Sequence, residues 1–451
     1  MKIHLIAIGG SAMHNLAIAL QKNGHVISGS DDEIFEPSRS RLSINKLLPS
    51  SFGWYPENIT DDIDSVILGM HARPDNPELL RAQELGLKIY SYPEFLYYHS
   101  KSKKRVVIGG SHGKTTITAI IMHVLRKLNF DFDYLVGSKI KDFDIMARLS
   151  DEAPIMIFEG DEYLSSPIDR RPKFHWYFPD IALLSGIAWD HINVFPTSEN
   201  YIEQFRKFVS LINKGGSLIY YKDDEVLEKL VSETNNIETI PYGIPEYEVR
   251  GGIDYIVYDK EETEISIFGK HNMMNINGAR LVCNKLGITD KDFFNSVSSF
   301  EGTANRLELV MRNGNSRLYK DFAHAPSKVR ATVAAVREQF PEANFVACLE
   351  LHTFSSLNKE FIDEYKNTLD LPDYACVYFN EHTLVMKRLP DLSKEDVVNA
   401  FNRKDMEVFV NSDELINWLK KVNKQDSVFL MMSSGNFDGI KLNYIANTLV
   451  S

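Results

Sequence analysis

The sequence predicts an α/β protein of three domains in series, and three observations carry that expectation. First, an apolar run that feeds a helical pattern through glycines occurs twice: Ile3 to Ile8 with Gly9-Gly10-Ser11, and Arg105 to Ile108 with Gly109-Gly110-Ser111-His112-Gly113-Lys114-Thr115-Thr116. Buried parallel strands entering helices through glycine turns are the pattern of phosphate-binding α/β units. Second, another αβ alternation begins after Phe300-Glu301-Gly302. Third, 451 residues are too many for one comfortable core, and roughly 150 residues per domain gives about three.

Taken in order, the first domain reads as Rossmann-like. Its apolar run and the helical stretch through Leu20 are followed by an extended run at Val26 to Ser28. A strand at Ser65 to Gly69, a helix at Pro77 to Leu85 and a strand at Lys88 to Tyr90 complete it. The polar Lys101-Ser102-Lys103-Lys104-Arg105 reads as a linker. In the third domain, strand Arg317 to Phe322 precedes helix Lys328 to Phe340 and strand Asn344 to Leu349. Strands at Tyr374 to Phe379 and Ser427 to Met432 follow, the last running into Ser433-Ser434-Gly435.

Composition narrows the function. Hydrophobic residues make up 44% and charged residues 25%, as in ordinary globular proteins. Lys plus Arg number 50 against 62 Asp plus Glu, a net charge of −12 that argues against nucleic-acid or anionic-membrane partners. The three cysteines, Cys283, Cys348 and Cys376, are scattered and suggest neither a disulfide framework nor a zinc site. The start MKIHLIAIGG runs directly into a glycine turn, unlike a secretory signal. No run approaches the ~18 apolar residues of a membrane span, so the chain reads as cytoplasmic.

The strongest chemical signal is Gly110-Ser111-His112-Gly113-Lys114-Thr115-Thr116. Glycines let backbone N–H groups converge on phosphates, and the following helix adds its positive end. Lys114 would reach the β/γ-phosphates and the Thr115 hydroxyl would ligate Mg²⁺. Ile108 stands at the first glycine position of the strict GxxxxGK[ST] spacing, so the loop is a variant. Gly9-Gly10 lacks the further glycines of a dinucleotide loop, because Ala12, Met13 and His14 stand there. With Ser28-Gly29-Ser30-Asp31 about 20 residues on, the better reading is a site for the diphosphate of a nucleotide-linked substrate. The strand Ile155 to Phe158 ends in Glu159-Gly160-Asp161-Glu162, carboxylates that repel unless a cation sits among them. A second apolar run, Ile181 to Leu184, leads to Asp190-His191, a candidate metal ligand with its orienter.

Together, and in this order, these residues resemble the Mur ligase family, ATP-dependent amide-bond formers of peptidoglycan synthesis. The resemblance spans nearly the whole chain. Gly110 to Thr116 is similar to the family's ATP loop, with Ser111 in place of threonine, and Glu159 matches its magnesium-binding glutamate. Asp190-His191 matches the DH element, and Gly269-Lys270-His271-Asn272-Met273-Met274-Asn275 the GxHNxxN element that holds the adenine. Phe300 to Arg306 resembles the hinge element, in which Arg306 contacts ATP. Asp321-Phe322-Ala323-His324-Ala325-Pro326 resembles the opening of the amino-substrate domain. Departures stand at Ser185-Gly186, Asn305 and Ala325, and at Leu349-Glu350-Leu351-His352-Thr353.

The resemblance implies a UDP-sugar-binding Rossmann-like domain (1–103), a central P-loop ATPase-like α/β domain (104–298) and a C-terminal Rossmann-like domain for the amino substrate (299–451). It implies Lys114, Glu159, His191, Arg306 and His324 as catalytic residues. ATP would be held by Gly110 to Thr116, His271, Asn272, Asn275, Arg306 and Asp321, and Mg²⁺ by Thr115, Glu159 and His191. The UDP-sugar would meet Gly10, Ser11, Met13, Ser30, Asp31 and His71. Within the family the chain is similar to the branch that takes UDP-N-acetylmuramate itself. Its segment Ile168-Asp169-Arg170-Arg171-Pro172-Lys173-Phe174 is similar to an insertion of the members that attach a whole L-Ala-γ-D-Glu-meso-diaminopimelate tripeptide. L-Alanine is the alternative amine, and a non-catalytic nucleotide-binding regulator of the same fold is a further alternative. The expected oligomeric state is monomer or dimer.

Overall fold

A computed structural model describes residues 1–140, 143–189 and 194–450. The chain divides into two compact units, residues 1–243 with 275–296, and residues 244–274 with 297–451.

In the first unit, β1 (Lys2–Ile6), β2 (Val26–Ser30), β3 (Ser65–Leu68) and β4 (Lys88–Ser91) form a parallel sheet in the order β2-β1-β3-β4. A second sheet is built from β5 (Lys104–Gly109), β6 (Phe132–Leu135), β7 (Ala147–Arg148), β8 (Ile155–Glu159), β9 (Ile181–Leu184), β10 (Ser217–Tyr221) and β11 (Glu238–Tyr242). Its order is β11-β10-β9-β5-β8-β6-β7, parallel except for the edge strand β7. Strand β5 sits at its centre, flanked by β8 and β9, so the two acidic and glycine-rich strand ends named above open beside the phosphate loop. These central strands are buried on both faces, which explains their continuous apolar runs. One core runs from Leu5, Leu16 and Leu20 through Val107 and Phe158 to Phe205 and Phe208.

In the second unit, β12 (Tyr247–Arg250), β13 (Ile253–Tyr258) and β14 (Glu261–Ile265) make a small antiparallel sheet that the sequence pattern did not reveal. Strands β15 (Glu308–Asn313), β16 (Ser316–Asp321), β17 (Asn344–Leu351), β18 (Tyr374–Phe379), β19 (Glu407–Phe409) and β20 (Ser427–Met432) follow in the order β15-β16-β20-β17-β18-β19. Only β15 runs antiparallel to its neighbour within this sheet. Successive residues of β17 alternate between two cores, Ala347 and Leu349 on one face and Val346 and Cys348 on the other. All three cysteines are free and buried. Among the described residues no helix is long and apolar enough to cross a membrane.

The linker expected at Lys101–Arg105 is corrected by the structure. Lys104 already begins β5, and Lys103 and Arg105 are each 6% exposed. The Lys103 ammonium donates to the carbonyls of Ser150 at 2.7 Å and Ala153 at 2.8 Å, and pairs with the buried Asp133 at 2.9 Å. Tertiary partners overrode the polar appearance of the run. Lys103→Met should cost about 3–5 kcal/mol, because it leaves the Asp133 carboxylate buried without its main counter-charge. Urea unfolding of the two proteins measures this.

Candidate active site

The phosphate loop follows β5 and ends where the helix Lys114–Lys127 begins. Gly110 and Gly113 have φ of +114° and +76°, a region that disfavours side chains. Space reinforces the requirement. A Cβ on Gly110 would lie 2.4 Å from Ser185 Oγ, and one on Gly113 would lie 2.3 Å from Asn275 Oδ1. The second asparagine of the GxHNxxN element is thus packed against this loop. Ser185 donates to the carbonyl of His112 and Gly186 accepts the Ser111 N–H at 3.0 Å. The Ser185-Gly186 departure from the family pattern is therefore part of the loop's scaffold.

Carboxylates meet the loop from the end of β8. Thr115 Oγ1 donates to Glu159 Oε1 at 2.7 Å, and Glu159 Oε2 accepts the Gly137 N–H at 2.8 Å. Lys114 Nζ lies 2.6 Å from Glu162 Oε2, and Lys173 Nζ lies 2.5 Å from Asp161 Oδ2. Burial disfavours the Lys114 charge, but Glu162, Asp161 and Glu159 outweigh it and hold its pKa above the ordinary lysine value. Burial raises the Asp161 pKa, and Lys173 and Lys114 together more than reverse this, so that carboxylate titrates below its usual range. Two ammonium groups and three carboxylates thus meet around the loop's mouth. The hydroxyl of Thr115 and the carboxylate of Glu159 are hard oxygen donors that fit Mg²⁺, an ion that keeps waters and phosphate oxygens as its other ligands. Among the described residues no group of three or more His, Cys, Asp or Glu side chains could by itself hold a metal ion. Asp190 and His191 lie outside the described residues.

The N-terminal turn places Gly10 at the start of the helix Ser11–Lys22. Asp31 Oδ2 accepts the Gly9 N–H at 2.7 Å, and burial raises its pKa to about 6. Ser11 and His71 are exposed. Met13 and Ser30 have other surroundings: Met13 packs in the core, and the Ser30 hydroxyl is buried, accepting from Asn58 Nδ2 at 3.3 Å.

In the second unit, Asn272 Nδ2 donates to the Phe268 carbonyl at 2.8 Å, and burial lowers the His271 pKa to about 4. Arg306 lies 4.8 Å from the centre of the Phe322 ring, whose face it covers, and His324 meets the same ring edge-on at 5.1 Å. His324 Nδ1–H donates to the Phe322 carbonyl at 2.8 Å, which fixes that nitrogen as the donor. The two carboxylate oxygens of Asp321 accept the N–H groups of Leu307 at 2.7 Å and Ala323 at 2.6 Å. Asp321 thereby braces the segments that carry Arg306 and His324. A cavity of about 760 Å³ opens beyond β16 and β20, lined by Lys320, Phe322, Ser433, Asn436, Lys441 and Tyr444 among others. Glu350 shapes it from below, accepting the Phe437 N–H at 2.8 Å and the Ser433 hydroxyl.

Sequence reasoning missed Glu350 and also Tyr201, which bonds both Ser111 and Glu162. Tyr201 is one more apolar-face position of an amphipathic helix, and nothing in the local pattern marks it.

Comparison with known proteins agrees with this geometry. Residues 2–104 match the "Mur ligase family, catalytic domain" and residues 108–283 the "Mur ligase middle domain". The UDP-N-acetylmuramate–L-alanine ligase of Clostridium kluyveri is 31% identical over 387 residues, covering 82% of each chain. The chain belongs to the Mur ligase family. As a Mur ligase it is an ATP-dependent ligase with N-terminal, middle and C-terminal α/β domains. Among solved structures, the UDP-N-acetylmuramate–alanine ligase of Thermotoga maritima superposes with TM-score 0.70 at 20% identity, covering 100% of this chain and 98% of that one. A murein peptide ligase from Psychrobacter arcticus gives TM-score 0.67 at 21% identity, covering 100% and 99%. Both likenesses establish this Mur ligase's fold.

Proposed function

We propose that this Mur ligase joins UDP-N-acetylmuramate to the tripeptide L-Ala-γ-D-Glu-meso-diaminopimelate. The observation that carries the choice of amine is the cavity of about 760 Å³ at the strand ends of the C-terminal sheet. Sites for ligands of tripeptide size run ~300–1,000 Å³, whereas alanine would leave most of such a space to water. The tripeptide presents several carboxylates, and Lys320, Lys441, Ser433, Ser434 and Asn436 are among the residues that line the wall. The segment Ile168 to Phe174, similar to the insertion of tripeptide-adding members, supports the same reading. The domain boundaries 1–103, 104–298 and 299–451 belong to this proposal.

The chemistry follows from the charges. The muramoyl carboxylate oxygen attacks the γ-phosphorus, ADP departs, and an acyl phosphate forms. The amine nitrogen then attacks the acyl carbon, loses a proton and expels phosphate. Lys114 and the N–H groups of residues 110–113 offset charge on the transferring phosphoryl group. Thr115 and Glu159 would hold Mg²⁺, which would supply further positive charge to offset the negative charge of the triphosphate. Asn272 and Asn275 hold the adenine, Arg306 contacts the nucleotide, and His324 orients groups where the amine arrives.

L-Alanine is the second reading, favoured by the name of the Clostridium relative. A substrate panel decides. ADP and phosphate should appear only with ATP, Mg²⁺, UDP-N-acetylmuramate and tripeptide together, with the mass of the UDP-tripeptide product. Turnover with L-alanine but not tripeptide overturns the choice of amine and leaves the ligase assignment standing.

A further inference from the structure

We infer that Tyr201 is a positioning residue of the phosphate-transfer site, holding Glu162 and the phosphate-loop Ser111 in fixed relation around Lys114. Tyr201 lies on the helix Ser198–Ser210, whose start is fixed by Thr197 accepting the Asn200 N–H at 3.2 Å. Its ring is fully buried, tilted against Phe195 with centres 5.4 Å apart and edge-on to Phe205 at 5.1 Å. The phenol therefore has one place to go.

Its hydroxyl lies 3.0 Å from Glu162 Oε1 and 3.2 Å from Ser111 Oγ. A carboxylate only accepts, so the phenol hydrogen goes to Glu162, and the phenol oxygen lies against Ser111 Oγ, whose own hydrogen goes to the Ala188 carbonyl. Glu162 Oε2 holds Lys114 at 2.6 Å. Ser111 Oγ in turn accepts the Ala188 N–H at 2.7 Å and lies 2.8 Å from the Ala188 carbonyl. One side chain thus ties together the phosphate loop, the carboxylate on its lysine and the segment after β9. When a triphosphate draws the Lys114 ammonium toward its own oxygens, the phenol still donates to Glu162 Oε1. That bond helps set where the carboxylate stays and so how far the lysine advances.

ADP release is measured for wild type, Tyr201→Phe, Glu162→Gln and the double variant, with saturating UDP-N-acetylmuramate, Mg²⁺ and whichever amine the substrate panel identifies. Removing the phenol hydroxyl should lower kcat about tenfold, the worth of one hydrogen bond to a charged group. ATP affinity by calorimetry should stay within about twofold, as expected when an interaction acts on the transition state. Because Tyr201 acts through Glu162, the double variant should be no slower than Glu162→Gln alone. A Tyr201→Phe kcat within about twofold of wild type, or fully additive losses in the double variant, overturns the inference. Should Tyr201→Phe fail to unfold cooperatively, Glu162→Gln decides alone: slowed turnover with retained ATP affinity supports the inference, and wild-type turnover overturns it.

Discussion

Lys114→Ala lowers the rate of ADP formation by about 10²–10³-fold, while UDP-N-acetylmuramate binds with nearly unchanged affinity. The ammonium is hydrogen-bonded to Glu162 at the mouth of the phosphate loop, and its charge is secured by three surrounding carboxylates. Lys114 is the only lysine or arginine of the loop Gly110 to Thr116. The UDP-sugar site is expected at the turn of Gly9 and Gly10, at the end of a different sheet. Calorimetry with UDP-N-acetylmuramate and a coupled ADP assay separate the two effects. A large loss of UDP-sugar affinity would contradict the placement of Lys114 on the triphosphate.

Glu159→Ala should be nearly as damaging, lowering kcat about 10²-fold and raising the Mg²⁺ concentration for half-maximal rate. Glu159 is the only carboxylate bonded to Thr115 among the described residues, and its second oxygen is held by the Gly137 N–H. Removing it takes away a metal-binding oxygen and leaves that N–H without its acceptor. A magnesium titration at fixed ATP reads the first effect directly. An unchanged magnesium midpoint with turnover within about twofold of wild type would remove Glu159 from the metal site.

Much of this was legible in the order of residues. Strand β9 (Ile181–Leu184), β18 (Tyr374–Phe379) and β20 (Ser427–Met432) coincide with the apolar runs read from the sequence. The phosphate loop was legible because glycines at positive φ and a lysine opening a helix are local requirements. The small antiparallel sheet of β12 to β14 was not legible, because exposed strands such as Tyr247–Arg250 carry alternating charges and give no apolar run. Lys101 to Arg105 misled for the converse reason. Its charges look solvated until Asp133, Ser150 and Ala153, from 30 to 50 residues away in sequence, close around Lys103.

By itself, then, the sequence determined the fold class, the order of the chemical elements and the identity of the phosphate loop, since each is dictated by short-range backbone geometry and hydrophobic period. The tertiary structure alone decided which polar groups meet. Tyr201 with Ser111 and Glu162, Glu350 with Phe437, and Lys103 with Asp133 are pairings across distant segments. A buried polar atom must find a partner wherever the packed chain delivers one, and that partner leaves no trace in the neighbouring residues.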